Sequence, residues 1–345
     1  MNTNFLYDML CTPSVSGDEF VLQSKVKKYM EASVEVESDA IGNVYSYMGD
    51  SKNVDVLMCG HIDEIGLMVV NFSGDGMVKV IKSGGIRVAT YFGQKVRILT
   101  ENGVVYGAVG INSSLLKNKE ASAEDLWIDI GATSKEEAMK VVKHGDYVVL
   151  DTEYHELLND CITARAMDDR IGAFIVLEAL LKAKEMGAKV SACATTTVGE
   201  ESSMRGAYFA SSRVKPKCAI AVDVTFASDA PGVADEVYGD IKVNGGPVLC
   251  HSSIVNRKLN ERLVHAAKTL NMDIQWEGAA GRTGTDADVM LKTNDGTPVA
   301  LVSIPLRYMH SPSEVGSKRD IQDCIDLLAQ FLVEWDSDIC LKPMI

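Results

Sequence analysis

Four short apolar segments, separated by longer stretches with helical patterning, constrain the fold of this chain most strongly. Apolar runs of this length are typical of strands that are buried on both faces, which occur mainly in parallel sheets covered by helices. A helical pattern follows Asp169 and ends at Gly187, which is placed as the glycine after a helix C-terminus. The sequence therefore predicts an α/β protein with a mostly parallel sheet and helices on both faces. The four predicted strands are residues 54–59, 190–198, 218–222 and 299–304.

Capping patterns indicate where two of the helices begin. Ser16 and Glu19 have the spacing of a capping box, which predicts a helix that runs to about residue 32 with Phe20 on its apolar face. The last helix of the chain is predicted to be capped by Ser317 and Asp320. These caps place helices at the beginning and at the end of the predicted α/β fold.

The region from about residue 67 to about residue 151 has a different pattern, with short alternating strands between glycine-containing turns. Asn102-Gly103 lies between two such strands and predicts a hairpin with a type I′ turn. Ser134 opens one short helix in this region. We therefore predict a discontinuous main domain, residues 1–67 and 162–345, with a small β-rich domain inserted at residues 68–161.

The composition of the chain indicates which kinds of binding partner and which cellular compartment to expect. The 345 residues carry 34 Lys and Arg against 48 Asp and Glu, a net charge of −14. An acidic surface repels nucleic acid and anionic membranes, so neither is expected as a partner. No apolar segment approaches the roughly 20 residues that span a bilayer. The eight cysteines form no C-x-x-C pair, which favours a reducing, cytoplasmic compartment.

Candidate metal ligands follow the predicted strands, where each strand ends. Ligands in open α/β sheets bind outside the carboxyl ends of the strands, so these side chains are expected to meet at one edge. Two imidazoles with three or more carboxylates, and no cysteine, form the donor set of a hydrolytic binuclear metal centre. The candidates are His61 after the first strand, Asp168 before the helix at 169–186, Glu200 and Glu201 after the second strand, Asp223 at the end of the third, and His310 beyond the fourth.

Each candidate also has an ordinary interpretation when it is taken alone. The histidines fit loop residues, Asp168 fits an acidic helix start, and Asp223 fits a structural salt bridge. Glu200 and Glu201 fit an acidic surface turn, but two adjacent carboxylates at a buried strand end would repel each other. A cation would relieve one of them, and the other would face a water as general base. Asp63 has the same side-chain direction as His61 and would orient its ring.

Nine motifs in this order resemble those of the tetrahedral (TET) aminopeptidase family of binuclear metallopeptidases. That family includes glutamyl aminopeptidases and proteins often labelled endoglucanase, and the resemblance covers nearly the full chain. The motifs are Ser14-Val-Ser-Gly-Asp-Glu19, Asp39-x-x-Gly42-Asn43, Gly60-His-x-Asp-Glu-Ile-Gly66, Ala166-Met-Asp-Asp-Arg170, Val198-Gly-Glu-Glu201, Val222-Asp-Val-Thr225, Asp229-x-Pro-Gly232, Gly284-Thr-Asp-Ala287 and His310-Ser-Pro-x-Glu314.

The resemblance implies a phosphorylase/hydrolase-like zinc peptidase core with an inserted small β-barrel-like domain. It also implies two divalent metal ions per subunit, zinc or cobalt, and a homo-oligomer, commonly a dodecamer built from dimers with inward-facing active sites. The implied roles are Asp168 as the bridge between the metals, His61 and Asp223 completing one site, Glu201 and His310 completing the other, Glu200 as general base, and Asp63 orienting His61. This ligand set requires His61 and His310 to lie within about 10 Å of each other.

The predicted function is an aminopeptidase that acts on short peptides. Arg257, beside Lys258, is a candidate substrate-binding residue that would favour acidic N-terminal residues, although a solvated basic pair is the simpler interpretation. Asp286 in the Gly284–Ala287 motif is a second candidate. A related zinc carboxypeptidase or deacylase, a glycosidase with two metal-independent carboxylates, and a non-catalytic metal-binding assembly protein remain as alternatives. Glu200 disfavours the last, because a structural site needs no spare base.

Overall fold

The structure is a computed structural model that describes residues 1–233 and 239–344, and it has a mixed α/β fold. The helices are α1 (Thr3–Cys11), α2 (Phe20–Glu31), α3 (Ser113–Lys117), α4 (Lys135–Ala138), α5 (Met167–Glu185), α6 (Glu200–Ser203), α7 (Arg205–Val214), α8 (Arg257–Thr269), α9 (Ala287–Met290) and α10 (Lys318–Val333). The strands are β1 (Glu35–Ser38), β2 (Val44–Met48), β3 (Val56–His61), β4 (Gly66–Phe72), β5 (Val78–Ser83), β6 (Lys95–Thr100), β7 (Gly103–Val109), β8 (Trp127–Asp129), β9 (Tyr147–Leu150), β10 (His155–Glu156), β11 (Cys161–Ala164), β12 (Ala192–Thr197), β13 (Cys218–Phe226), β14 (Val248–Ser252), β15 (Gln275–Ala279), β16 (Val299–Leu306) and β17 (Glu314–Ser317).

The main sheet has eight strands in the order β1-β2-β12-β3-β13-β16-β14-β15. Its four central strands, β12, β3, β13 and β16, are mutually parallel, and they are the four strands that the apolar runs predict. The neighbours on either side, β2 and β14, pair antiparallel to β12 and β16. The predicted mostly parallel sheet is therefore confirmed at its centre and gains antiparallel strands toward its edges.

Helices cover both faces of this sheet, as predicted. Alternate residues of β3 face opposite cores, because successive side chains of a strand point to opposite faces. Met58 belongs to the larger core, together with Phe174 of α5 and Leu328 of α10, and Leu57 belongs to the smaller one, together with Met290 of α9. None of the helices in the described part of the chain is both long enough and apolar enough to cross a membrane.

The β-rich region forms a closed antiparallel barrel with strand order β4-β5-β8-β7-β6-β9. Its own apolar core includes Leu67, Ile98 and Ile128. The short helix α4 begins after Ser134, whose hydroxyl accepts a hydrogen bond from the Glu137 amide as predicted. The barrel-like fold of the insertion is confirmed, while the domain boundaries at 67/68 and 161/162 stay predictions.

The predicted hairpin at Asn102-Gly103 is present, but its turn is shifted. Thr100 pairs directly with Gly103, so the two loop residues are Glu101 and Asn102. Gly103 is the first residue of β7 and has a φ of 116°. The glycine thus relieves backbone strain at the start of the returning strand, and the prediction of a type I′ turn centred on Asn102-Gly103 was wrong.

Both predicted capping arrangements differ in part from the structure. α2 begins at Phe20 with Glu19 at the N-cap position and no side-chain cap. Ser16 therefore lies before the helix start, and its hydroxyl donates to Asp63. Phe20 is 60% exposed and does not belong to the buried face of α2. Ser317 caps α10 as predicted by accepting from the Arg319 amide.

Asp320 does not cap α10. Its two carboxylate oxygens accept from the backbone amides of Asn244 and Gly246, at 2.7 and 2.9 Å. The side chain is therefore used to fix the loop before β14 instead of the helix end. Burial raises the pKa of this carboxyl to about 6, although the two amide hydrogen bonds oppose that rise.

Candidate metal centre

The candidate ligands meet at the carboxyl edge of the central strands. His61 is the last residue of β3, and Glu200 and Glu201 open α6 just after β12. Asp223 lies within β13, and His310 lies four residues beyond β16. Asp168 is the second residue of α5, whose start has non-helical backbone angles at Asp168 and Asp169. The structure therefore brings together side chains that are separated by up to 249 positions, His61 to His310.

Asp168 lies between the two histidines and contacts both. Its Oδ1 is 3.2 Å from Nε2 of His61, and its Oδ2 is 3.1 Å from Nε2 of His310. Two imidazoles on the two oxygens of one carboxylate lie well within the separation that a binuclear site requires. Hydrogen bonds from the two histidines lower the pKa of Asp168 below its usual range, although burial, the largest influence, raises it.

The other ring nitrogen of each histidine faces a protein oxygen. Nδ1 of His61 lies 3.2 Å from the backbone oxygen of Asp63 and 3.5 Å from its carboxylate, and Nδ1 of His310 lies 3.0 Å from the backbone oxygen of Gly85. An Nδ1–H that donates to oxygen leaves Nε2 as the atom that can bind a metal. Both rings therefore present their Nε2 atoms toward Asp168.

The site holds more buried carboxylates than its histidines can balance. Burial, followed by the charge of Asp223, raises the pKa of Glu200 to about 10, and burial with the charge of Asp168 raises that of Glu201 to about 8. The hydrogen bond with Asp168 is the main cause that raises the pKa of His310 to about 9. In the described structure Oε1 of Glu201 is buried without a hydrogen-bond partner. Such a donor set fits divalent cations, which would relieve the repulsion between the carboxylates.

Two groups of side chains bring their ligand atoms within 4.8 Å of one another. One group is His61, Asp168 and Glu201, and the other is His61, Asp169 and Asp223. His310 approaches the first group, with its Nε2 3.6 Å from Oε1 of Glu201. Every residue that the sequence predicts as a ligand therefore belongs to this cluster or contacts it.

Asp169 is a member of the cluster to which the sequence assigned no role. It is fully buried, its Oδ2 accepts from the His61 amide at 3.1 Å, and its Oδ1 accepts from the Gly172 amide at 3.1 Å. Burial and then the charge of Asp223 raise the pKa of this carboxyl well above its ordinary value. Asp169 thus joins the end of β3 to the start of α5.

Asp63 contacts both halves of the site. Its Oδ1 accepts from the Glu200 amide at 3.0 Å, and its Oδ2 accepts from the Glu201 amide at 3.2 Å and from the Ser16 hydroxyl. Burial alone raises the pKa of this carboxyl, but the hydrogen bonds with His61 and Ser16 lower it. Besides facing His61, the carboxylate fixes the backbone that carries Glu200 and Glu201.

Glu314 links the two loops that carry Asp168 and His310. Its Oε1 accepts from the His310 amide at 2.8 Å, and its Oε2 accepts from the Met167 and Asp168 amides at 2.7 and 3.3 Å. Burial and then the charge of Asp168 raise its pKa to about 8. The motif that begins at His310 ends at this residue, so the signal was available, but no role was assigned.

A buried ion-pair network lies behind the site and was not predicted. Glu64 contacts Arg165 through one oxygen and Arg170 through the other, and it also accepts from the Ser14 amide at 3.0 Å. Arg170 further donates to the Leu10 backbone oxygen at 3.0 Å. The network connects the N-terminal segment, the start of α5 and the loop after β3, which carries Asp63.

The cluster lines an open cavity of about 320 Å³. Asp168, Glu200 and Asp223 contribute polar groups to the lining, and the apolar side chains Leu301 and Met309 also line the cavity. A space of this size next to a cluster of candidate metal ligands fits a small substrate group.

The two predicted substrate-binding residues do not line this cavity. Arg257 begins α8 and lines two other cavities. Asp286 is buried, and its Oδ2 accepts from the Thr197 hydroxyl at 2.6 Å. Burial raises the pKa of Asp286 to about 6. Substrate contact by either residue stays a prediction that the cavity does not support.

Comparison with known proteins points to one family. A sequence profile described as M42 glutamyl aminopeptidase matches residues 42–327. A lysyl aminopeptidase of Pyrococcus furiosus is 33% identical over 342 residues, which cover 96% of this chain and 95% of that protein.

Solved structures of TET peptidases have the same fold. A TET aminopeptidase from the marine sediment archaeon Thaumarchaeota archaeon SCGC AB-539-E09 superposes with a TM-score of 0.91 at 30% identity, covering 97% of this chain and 96% of that one. The TET1 peptidase of Pyrococcus horikoshii, described as able to assemble into a tetrahedron or a large octahedral shell, gives a TM-score of 0.86 at 28% identity, with 96% and 99% coverage.

Proposed function

The chain belongs to the M42 glutamyl aminopeptidase family, and from this premise we propose that it is a metal-dependent enzyme that releases N-terminal residues from short peptides. The observation that carries the metal dependence is the position of Asp168, whose two oxygens lie 3.2 and 3.1 Å from Nε2 of His61 and of His310. A carboxylate between two imidazoles, within a surplus of buried carboxylates, is the donor set expected for two adjacent divalent cations.

The proposed ligands divide into a shared residue and two pairs. Asp168 is shared, His61 and Asp223 hold one cation, and Glu201 and His310 hold the other. Zinc and cobalt both accept imidazole and carboxylate ligands, so the donor set is compatible with either metal. When bound, the cations would polarise the scissile carbonyl and lower the pKa of the attacking water.

Glu200 is the proposed general base. Its side chain is only 8% exposed, it lines the cavity, and its Oε2 lies 3.8 Å from Nε2 of His61. In this role it accepts a proton from the water and returns it to the amine that leaves. Asp63 supports this step as a positioning residue, since it accepts the Glu200 amide at 3.0 Å and so fixes the start of α6.

Glu200→Gln and Glu201→Gln form the decisive pair of variants. Glu200→Gln is expected to keep both metals and to lose peptide hydrolysis by about 10²- to 10⁴-fold, the usual contribution of a general base. Glu201→Gln is expected to lose one metal as well as activity. Metal content and the release of N-terminal residues from aminoacyl chromogenic substrates are measured after stripping and re-addition of zinc, cobalt or manganese. Full turnover by Glu200→Gln would refute the assignment.

The same assay separates the rival functions. Release of a C-terminal residue or an acyl group instead would support the carboxypeptidase or deacylase alternative. Chelator-resistant cleavage of a polysaccharide would support a glycosidase. Metal binding without any hydrolysis would support a non-catalytic assembly protein.

We also propose a homo-oligomer built from dimers, up to a dodecamer, which acts in the cytoplasm. The support for the oligomer is the likeness to TET peptidases, one of which is described as able to assemble into a tetrahedron or a large octahedral shell. Size-exclusion chromatography with light scattering tests the oligomeric state. The earlier hypothesis of acidic N-terminal substrates has no support from the cavity, because Arg257 does not line it.

A further inference from the structure

Glu277 places a carboxylate at the cavity that the metal chemistry does not use. It lies in the middle of β15, the edge strand of the main sheet, and it lines the same cavity as Asp168, Glu200 and Asp223. Its Oε1 accepts from the Ser303 hydroxyl at 2.9 Å, and its Oε2 accepts from the Thr225 hydroxyl. Two hydroxyl donors hold the carboxylate in one orientation. Burial raises the pKa of Glu277 above its ordinary value, and the hydrogen bonds from Thr225 and Ser303 oppose that rise.

None of the residues that the structure describes supplies a cation that balances this carboxylate. Within the described chain Glu277 forms no ion pair with Lys, Arg or His, and none of the described residues that line the cavity is Lys or Arg. The two histidines that line it both face Asp168. A partly buried carboxylate without a counter-charge favours a cation that arrives with the substrate.

The rest of the cavity lining includes apolar side chains. Val224, Leu301 and Met309 line the cavity together with Glu277 and the candidate metal ligands. A lysine or arginine side chain has an apolar stem and a charged head, so its stem can contact this surface while its head reaches a carboxylate. A glutamate side chain would instead bring a negative charge against Glu277.

We propose that Glu277 is a specificity-determining residue that binds the cationic side chain of an N-terminal lysine or arginine of the substrate. This inference rests on the proposed aminopeptidase function. It also opposes the hypothesis of an acidic preference, since the two predict opposite orders for Lys- and Glu-linked substrates.

Chromogenic substrates linked to Lys, norleucine, Leu and Glu test the inference. Norleucine keeps the aliphatic stem of lysine but lacks its ammonium group. The wild-type enzyme is expected to prefer Lys over norleucine, and Glu277→Gln is expected to reduce the Lys-to-norleucine ratio of kcat/KM by about 10- to 100-fold, the range of a hydrogen bond to a charged group. Leu hydrolysis is expected to change by less than about threefold, because it does not use the carboxylate.

Two further variants serve as control and as second test. Asp273→Asn removes an exposed carboxylate two residues before β15. This variant is expected to leave the Lys-to-norleucine ratio of kcat/KM unchanged. Glu277→Asp keeps the charge and is expected to retain part of the Lys preference, which separates loss of charge from damage to the strand. Metal content is measured for each protein.

The outcomes distinguish this inference from the proposed function. An equal loss for all substrates in Glu277→Gln would overturn it, since such a loss would assign the carboxylate to the α-ammonium group that every substrate shares. A wild-type enzyme that hydrolyses Leu without preferring Lys over norleucine would also overturn it while leaving the proposed function intact. A wild-type enzyme that releases no N-terminal residue from any substrate would instead refute the proposed function.

Discussion

The two histidines of the candidate metal centre lie in contrasting surroundings. His61 ends a central strand, its side chain is 2% exposed, and its Nδ1 faces Asp63, two residues further along the chain. The side chain of His310 is 26% exposed, and this residue lies in a loop with a φ of 62°. Its Nδ1 faces the backbone oxygen of Gly85, two residues beyond barrel strand β5.

This difference shows that the two halves of the site depend on different parts of the fold. The His61 half is built on the buried centre of the sheet and is supported from behind by the Glu64 network. The His310 half forms where the loop after β16 contacts a loop of the barrel. We therefore expect changes behind His61 to affect stability and metal binding together, and changes beside His310 to affect metal binding with little effect on stability.

Of the substitutions that test this difference, Glu64→Gln is expected to have the largest effect, which is a loss of stability. The substitution leaves Arg165 and Arg170 buried without their carboxylate, and three of their nitrogen atoms already lack a hydrogen-bond partner in the described structure. Removing one member of a buried ion pair costs about 3–5 kcal/mol. The free energy of unfolding, measured by urea titration of metal-free protein at neutral pH, is expected to fall by about this amount.

The loss of stability in Glu64→Gln is expected to depend on pH and to be smaller at low pH. Burial raises the pKa of Glu64, but the charges of Arg165 and Arg170 outweigh it and lower the pKa from 4.5 to about 2. A lowered pKa means that the ionised carboxylate stabilises the fold above pH 4.5 and that this stabilisation is lost as the pH falls toward 2. The difference between wild type and Glu64→Gln is therefore expected to shrink below pH 4.5.

Glu37→Gln is the control for Glu64→Gln. It removes a carboxylate that is 46% exposed and paired with Arg213. An exposed pair contributes about 0–1 kcal/mol. An equal loss of stability in the two variants would contradict the assignment of the Glu64 network as a buried support of the site.

Asp63→Asn is expected to have the next largest effect, which is a loss of metal affinity or activity. Asparagine keeps one acceptor oxygen, but it loses the charge that faces His61 and one acceptor for the Glu200 and Glu201 amides. Loss of a carboxylate that supports a metal-binding histidine weakens metal affinity or activity by about 10- to 100-fold. Metal affinity is measured by titration of stripped protein, and unchanged affinity together with unchanged activity would contradict the positioning role.

Ser16→Ala separates the role of the Asp63 charge from that of the hydrogen bond that Asp63 accepts from Ser16. Ser16 donates one hydrogen bond to Asp63 and contributes no charge to the site. A smaller loss of metal affinity than in Asp63→Asn is expected, because the carboxylate remains in place. An equal loss would mean that the hydroxyl, and not the charge of Asp63, determines the orientation of the loop.

The central strands and the candidate ligands at their ends were predictable because their signals are local. A continuous apolar run defines a buried strand, and a polar residue at its end lies at the sheet edge by geometry alone. His61, Glu200 and Asp223 were found in this way. Sequence reasoning assigned Ser16 to the wrong partner, because the spacing of a capping box is a local signal and the carboxylate of Asp63 is 47 positions away.

The barrel contact of His310 could not be read from the sequence. Its partner is a backbone oxygen, which every residue carries, so Gly85 has no side chain that would mark the contact. Glu314 and Asp169 act through backbone amides of ligand loops, and these bonds exist only once the loops have met. Asp169 and Glu314 were missed because they contact main-chain amides of segments that carry candidate ligands. The Glu64 network, which was also missed, consists of side-chain ion pairs between distant parts of the chain.

Gly85→Ala has the smallest expected effect and tests the His310 half alone. A Cβ at Gly85 would lie 3.1 Å from Cε1 and 3.3 Å from Nδ1 of His310. These contacts are tighter than ordinary van der Waals distances, so the ring is expected to shift by a few tenths of an ångström and to weaken its hydrogen bond to the Gly85 oxygen. We expect one of the two metals to bind less tightly, by no more than about tenfold. This is the lower end of the loss in metal affinity that follows removal of a supporting contact to a ligand.

Gly74→Ala is the matched control for Gly85→Ala. Gly74 lies in the turn after β4, and a Cβ there would meet nothing within 4 Å. Both substitutions place a methyl group on a loop of the same barrel, but only Gly85 faces His310. If Gly85→Ala weakened both metals equally, or if Gly74→Ala weakened either, the barrel would influence the site through its general stability. A selective effect of Gly85→Ala on one metal would instead assign that metal to the His310 half, because the His61 half has no contact with this methyl group.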